Sequence, residues 1–219
     1  MHLQKAETMS ASSSARTVGQ AIHEIALTDA LSRSASRLLP PGPGRSVIVI
    51  PEVAIGRGRP DILIVVVSMA SLKSYLSSGL RIETLTQAKA LVAASTSHGI
   101  KSSKTADESW TNAAIRQYSK AVIDSLAVEA KIKDWKQAIR QASRFRHLSN
   151  RAAIMLPGIA LLNRVEPYLQ TYDLGYIDFG RNTPAWCVPA NKQDLQPENA
   201  LWLLELAARE TRARFPQSS

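Results

Sequence analysis

The sequence predicts an α/β sandwich built on a small mixed sheet, and three observations carry that reading. Residues 46–55 and 59–68 are rich in Val and Ile and flank the turn Gly56-Arg57-Gly58-Arg59, so they read as a hairpin-like pair of strands. The run Ile62-Leu-Ile-Val-Val-Val67 is continuously apolar rather than alternating, which marks a strand covered on both faces and therefore central. Further strand signals at 123–132 and 151–156 bracket a strongly amphipathic helix over 134–147.

The remaining elements follow in order. Residues 1–16 are polar and rich in Ser, Thr and Ala, and read as a disordered tail without the apolar stretch of a signal peptide. Residues 17–38 read as a helix, with Ile22, Ile25, Ala26 and Leu38 near helical spacing, and Pro40-Pro41-Gly42-Pro43-Gly44 ends it. Residues 69–119 change character. Helices over about 72–78, 84–95 and 104–119, joined by Ser/Thr-rich links, predict a helical insert. Leu85-Thr-Gln-Ala-Lys-Ala-Leu-Val could pack as half of a helix-turn-helix, or the insert could be a plain helical elaboration. After the strand at 151–156, Pro157-Gly158 breaks the chain. A helix over 159–170, strands at 174–179 and 185–188, and a last helix from Pro197 to about Arg214 complete the order. The expected organisation is a core of 17–68 and 120–219 interrupted by the insert 69–119.

Among 219 residues, 27 Lys and Arg face 18 Asp and Glu, a formal net charge of +9. That excess suits a polyanion, nucleic acid before an anionic membrane surface, although solubility alone would also explain it. Cys187 is the sole cysteine, so no internal disulfide can form, and a cytoplasmic setting is expected. The six-residue apolar run is too short to cross a bilayer, and no membrane partner is expected. Zinc-type Cys/His clusters, phosphate-cradling glycine loops ahead of a helix, and a Ser or Cys partner for His98 or His147 are all missing from the sequence. Cys187 reads as a buried small residue rather than a nucleophile.

Two carboxylates stand out. In a strand through Val128-Glu-Ala-Lys-Ile132, Glu129, Lys131 and Lys133 share one face while Val128, Ala130 and Ile132 face the core. Such a Glu-x-Lys usually marks a solvated strand face. Asp61 follows Pro60 at the mouth of the apolar strand, where a charge must be paired or solvated in a cleft, or is simply a turn residue.

Gly58-Arg59-Pro60-Asp61, then Glu129-Ala130-Lys131, then the helix Trp135-Lys-Gln-Ala-Ile-Arg-Gln141-Ala-Ser-Arg-Phe145 together resemble the PD-(D/E)XK nucleases, over a core from about residue 17 to 156 with the insert set aside. The resemblance implies a restriction-endonuclease-like three-layer sandwich. It implies an enzyme too, a Mg²⁺-dependent hydrolase cutting phosphodiester bonds, DNA before RNA, with Mn²⁺ able to substitute. In that family Asp61, Glu129 and the Ala130 backbone carbonyl would hold the metal and Lys131 would orient water or offset phosphoryl charge. Gln141 would lean in from the helix, and His23 or Glu24 in the first helix could add a metal ligand. This chain has Phe145 where an exonuclease branch of the family carries Tyr, so that hydroxyl is absent. About 67 residues separate Asp61 from Glu129, longer than the family's usual gap; the insert accounts for this if its ends lie close together.

Lys136, Arg140 and Arg144 recur at four-residue spacing on the amphipathic helix, and Arg57 and Arg59 flank the turn before Asp61. All five are candidates to grip a nucleic-acid backbone, or else ordinary solvated residues. Two other functions compete with nuclease. One is a catalytically silent nuclease-like module binding nucleic acid or protein. The other is a DNA-binding regulator working through the insert, whose reading helix would offer only Gln87 and Lys89 as long polar donors. A homo-oligomer or larger complex is compatible with either.

Overall fold

The computed structural model describes residues 26–55, 58–96, 112–179 and 183–215. The proposed tail, Ile22, His23, Glu24, Ile25, Arg57 and His98 lie outside them. Among the described residues, six strands form one sheet in sequential order: β1 (Arg45–Pro51), β2 (Ile62–Ser68), β3 (Val122–Ala130), β4 (Arg151–Leu156), β5 (Gly175–Asp178) and β6 (Ala185–Val188). The pairs β1–β2 and β2–β3 are antiparallel, β3–β4 and β4–β5 parallel, and β5–β6 antiparallel. The sheet is mixed, and the parallel trio β3, β4 and β5 ends along a common edge.

Helices cover both faces. On one side lies α1 (26–38), whose Leu27, Leu31, Ala35 and Leu38 meet Ile62, Ile64, Val66, Val128 and Met155. Ala26, expected in the buried stripe, is exposed; the stripe is offset by one residue and runs through Leu27. On the other side lie α5 (Trp135–Ala142), α6 (Leu162–Tyr172) and α7 (Pro197–Arg214), together with α2 (Met69–Ser77), α3 (Leu85–Thr96) and α4 (Asn112–Tyr118). This makes a three-layer α/β arrangement. Every β2 residue from Ile62 to Val67 is buried, because even-numbered side chains face α1 and odd-numbered ones face the opposite helices.

The insert begins and ends at one place. The Ser68 backbone N–H donates to the Ala121 carbonyl at 2.9 Å, and Val67 pairs with Val122. Its helices share a core with α7: Leu72, Tyr75, Ile82, Ala88, Ile115 and Tyr118 pack in the cluster that holds Leu201, Leu204 and Ala208. At the start of α3, the Gln87 N–H donates to Thr84 Oγ1 and Gln87 Oε1 accepts the Glu83 N–H at 2.8 Å. That reciprocal cap occupies one of the two polar side chains a reading helix would have offered.

Three element ends differ from expectation for identifiable reasons. Strand β1 stops at Pro51 rather than residue 55, because Glu52 adopts φ 47 and turns the chain. Strand β2 starts at Ile62, since Pro60 has no N–H to give a ladder. Helix α5 ends at Ala142, not at His147: Ser143–Phe145 tightens into a 3-10 turn. At its other end Asp134 caps it, accepting the Gln137 N–H at 2.9 Å.

Candidate active site

Register brings the two carboxylates together. Ile62 pairs with Val128, so one step further along the antiparallel ladder sets Asp61 opposite Glu129, on the face that also carries Leu63 and Ala127. Helix α5 packs on that face against β3 and β4. The Lys131 Nζ lies 2.7 Å from Glu129 Oε1 and 3.6 Å from Asp61 Oδ2. The two carboxylate oxygens are therefore no more than about 6.3 Å apart, the two contacts laid end to end, close enough for one hard cation and its waters to serve both.

Glu129 is 1% exposed, Lys131 15% and Asp61 31% by side chain. The face expected to be solvated is thus roofed by α5, and Glu129 is no surface acid. Burying a carboxylate is expensive unless it is paired, and the Lys131 ammonium is at hand to offset the cost. Asp61 is fastened separately: its Oδ2 accepts the Ala130 N–H at 2.7 Å. In extended chain the N–H and C=O of one residue point to the same side, so the Ala130 carbonyl faces the gap beside Asp61. The Lys131 N–H turns the other way, to the Met155 carbonyl at 3.0 Å. Strand β3 ends at Ala130, so Lys133 is not on the strand face as expected but exposed in the bend beyond it.

The loop that delivers Asp61 is held against the 3-10 turn that follows α5. Ile55 and Gly58 exchange backbone hydrogen bonds at 2.9 and 3.0 Å, and the Glu52 N–H donates to the Asp61 carbonyl at 3.1 Å. Gly58 lies flat on the buried ring of Phe145. A Cβ there would overlap Cε1 and stand 3.0 Å from Cζ. Phe145 lacks the hydroxyl of the resembled branch, and its ring instead seats this loop. Gly58→Ala is expected to cost about 1–3 kcal/mol by overpacking, lowering Tm by several degrees, with Phe145→Leu restoring part of the loss. Thermal melts of the single and double variants test this; an unchanged Tm in Gly58→Ala would show that the loop does not rest on the ring.

Gln141 lies on α5 among Ala138, Ala142 and Phe145, which face the sheet, and its Oε1 is buried without a hydrogen-bond partner among the described residues. A buried acceptor left open costs about 1–3 kcal/mol, and a bound water or ligand donor would remove that cost. Arg59 is tied to Glu52, donating from Nε to the carbonyl at 2.6 Å and from its NH2 to Oε2 at 2.8 Å. Both side chains are exposed, so the pair is weak and the guanidinium could exchange onto a phosphate.

The expected cationic stripe divides where α5 gives way to the 3-10 turn. Lys136 and Arg140 line a groove of about 280 Å³ with Trp135, Ile139, Tyr168 and Tyr172. Arg144 instead joins His147, Lys89, Leu85, Leu148, Gln196, Glu198 and Asn199 around a larger cleft of about 860 Å³ beside the start of α7. Neither cavity is lined by Asp61, Glu129 or Lys131. Chemistry, not cavity size, singles out the carboxylate pair. The exposed tyrosines of α6 were missed from the sequence, where Tyr at i and i+4 looks like any core stripe.

Other charged groups brace the fold. Glu205 on α7 is 1% exposed and accepts from the Tyr75 hydroxyl at 2.6 Å, Arg209 at 2.9 Å and Arg212 at 3.2 Å, stapling α2 to α7. Burial, reinforced by Glu205, pushes the Tyr75 phenol well above its ordinary range. Burial likewise pushes the Cys187 thiol up, with Asp178 adding to it, which disfavours a thiolate nucleophile.

Among the described residues no three or more His, Cys, Asp or Glu side chains cluster as a metal cage, and no helix is long and apolar enough to cross a membrane. No family model and no curated protein matches the chain. Among solved structures, the chain is similar to the SPO1766 protein of unknown function from Silicibacter pomeroyi, at 13% identity and a TM-score of 0.43, over 86% of this chain and 92% of that one.

Proposed function

We propose that the protein is a metal-dependent nuclease with a restriction-endonuclease-like core, hydrolysing phosphodiester bonds in nucleic acid, DNA before RNA. One observation carries this reading: Asp61 and Glu129, 68 positions apart by number, meet at the Lys131 ammonium on a helix-covered face of the sheet. Stability alone would be served as well by apolar side chains at those positions, so a retained buried acid and lysine argue for chemistry. The order α1-β1-β2-β3-α5-β4, once the insert is set aside, supports the same resemblance.

The donor set suits Mg²⁺ or Mn²⁺. Two carboxylates and the Ala130 carbonyl supply hard oxygens but too few for a closed cage, and Mg²⁺ keeps waters and accepts substrate phosphate. Bound there, the ion would supply a water of lowered pKa and neutralise phosphoryl charge. Lys131 holds a compact positive charge between the acids, where it can orient the attacking water and offset charge on the scissile phosphate. Gln141 brings a buried amide oxygen able to accept a hydrogen bond from a water in the site. Lys136 and Arg140 stand on the adjoining helix to track the backbone.

The test incubates purified protein with linear, circular and single-stranded DNA and with RNA, in Mg²⁺, Mn²⁺ or EDTA. Cleavage in either metal that vanishes with EDTA is expected. Salt-sensitive binding without any cleavage would replace this reading with that of a silent nuclease-like binding module.

A further inference from the structure

The groove between α5 and α6 combines two kinds of side chain that neither fold nor core requires on the surface. Along α6, Arg164, Tyr168 and Tyr172 follow one another at four-residue spacing, and the tyrosines are 45% and 46% exposed. Along α5, Lys136 and Arg140 do the same, both exposed. Trp135 joins the two rows: its ring lies 5.2 Å from that of Tyr168, tilted by 57°, and Lys136 Nζ sits 5.6 Å from its centroid. Among the described residues none of Lys136, Arg140 and Arg164 has an ion-pair partner. Large aromatic rings exposed beside unpaired cations lose hydration to no one in the free protein, which makes the surface available to a ligand carrying flat rings and negative charge.

We propose that this groove is a stacking platform for single-stranded nucleic acid, with bases laid on Tyr168, Tyr172 and the Trp135 edge and phosphates held by Lys136 and Arg140. Duplex DNA keeps its base faces stacked inside and presents none to the tyrosines, whereas an unpaired strand presents every one. The platform starts near the carboxylates. Trp135 follows Lys131 by four residues, so their Cα atoms are at most about 14 Å apart even with the chain fully extended. A strand lying in the groove and continuing past Trp135 toward Lys131 would reach the Asp61–Glu129–Lys131 centre within a few nucleotides. That direction rests on the nuclease reading, and it names the substrate class: a single strand, or the frayed or unpaired end of a duplex.

The experiment measures binding in EDTA, so that cleavage plays no part, by fluorescence anisotropy of a labelled oligothymidine of about 10 nucleotides and of a duplex of equal length. The parent protein is expected to prefer the single strand. Tyr168→Ala/Tyr172→Ala should weaken single-strand binding about tenfold per ring while changing duplex binding less than about twofold. Tyr168→Phe/Tyr172→Phe should retain the parent affinity, since the ring stacks without its hydroxyl. Both tyrosines are exposed, and a thermal melt of each variant confirms that the fold is kept. Lys136→Gln/Arg140→Gln should weaken both substrates and flatten the salt dependence. Parent-like single-strand binding by the double alanine variant, a preference for duplex, or no binding of either oligonucleotide overturns the platform. Single-strand preference without metal-dependent cleavage overturns only the nuclease reading, and cleavage without that preference overturns only this one.

Discussion

Lys131→Met is expected to lower stability by about 3 kcal/mol, or roughly 6–12 °C in Tm for a chain of this size, and to reduce cleavage about 10²–10³-fold. The stability loss follows from Glu129, whose carboxylate is 1% exposed and would lose the ammonium 2.7 Å away. Removing one partner of a buried pair costs more than removing both, so Glu129→Gln/Lys131→Met should recover most of the lost Tm. A divalent cation offers the second remedy. Mg²⁺ or Mn²⁺ at about 100 times its Kd would stabilise the single variant by about 2.7 kcal/mol, yet leave the double variant, with one charged ligand gone, nearly unmoved. Melts with and without metal read all of this independently of activity. An unaltered Tm in Lys131→Met would mean the pair does not hold the site together, and a Tm blind to metal in every variant would remove the cation from the proposal.

Much of this geometry was readable from residue order because it rests on period and adjacency. The apolar run Ile62–Val67 announces a strand with both faces covered, and the Asp61–Glu129 encounter follows once β2 and β3 are neighbours in antiparallel register. What escaped depends on partners far away in the chain. That α5 would roof Glu129 is invisible in a Glu-x-Lys pattern, which looks the same on a solvated strand. The close of α5 at Ala142 is equally hidden, since Phe145 keeps helical spacing from Ala142 while the backbone tightens beneath it. The insert reads as self-contained because its packing partner, α7, begins only at Pro197. Glu205 and Tyr75, 130 positions apart, could not be paired in advance. Exposure of Tyr168 and Tyr172 is likewise a tertiary fact, set by α6 burying Val165 and Leu169 instead.

Asp61→Asn separates the chemistry from the scaffold more sharply than any other substitution at this site. The Asp61 Oδ2 accepts the Ala130 N–H at 2.7 Å, and an asparagine oxygen can accept the same bond, so the loop from Glu52 to Pro60 should keep its seat. The side chain is also 31% exposed, which spares the new amide a full desolvation cost. Stability should consequently fall by less than about 1 kcal/mol. The negative charge facing Lys131 and any shared cation disappears, and cleavage is expected to drop about a thousandfold, the scale on which losing one electrostatic stabiliser in a water-poor site registers. Metal titration by calorimetry should show weakened binding in step with that drop, while oligonucleotide binding in EDTA stays at the parent level or tightens slightly as one repulsive charge is lost. Glu129→Gln, by contrast, should leave Lys131 without its buried counter-ion and disturb fold and chemistry together. If Asp61→Asn cuts at the parent rate over the same metal range, Asp61 is a loop anchor and no ligand, and the case for a two-carboxylate centre collapses with it.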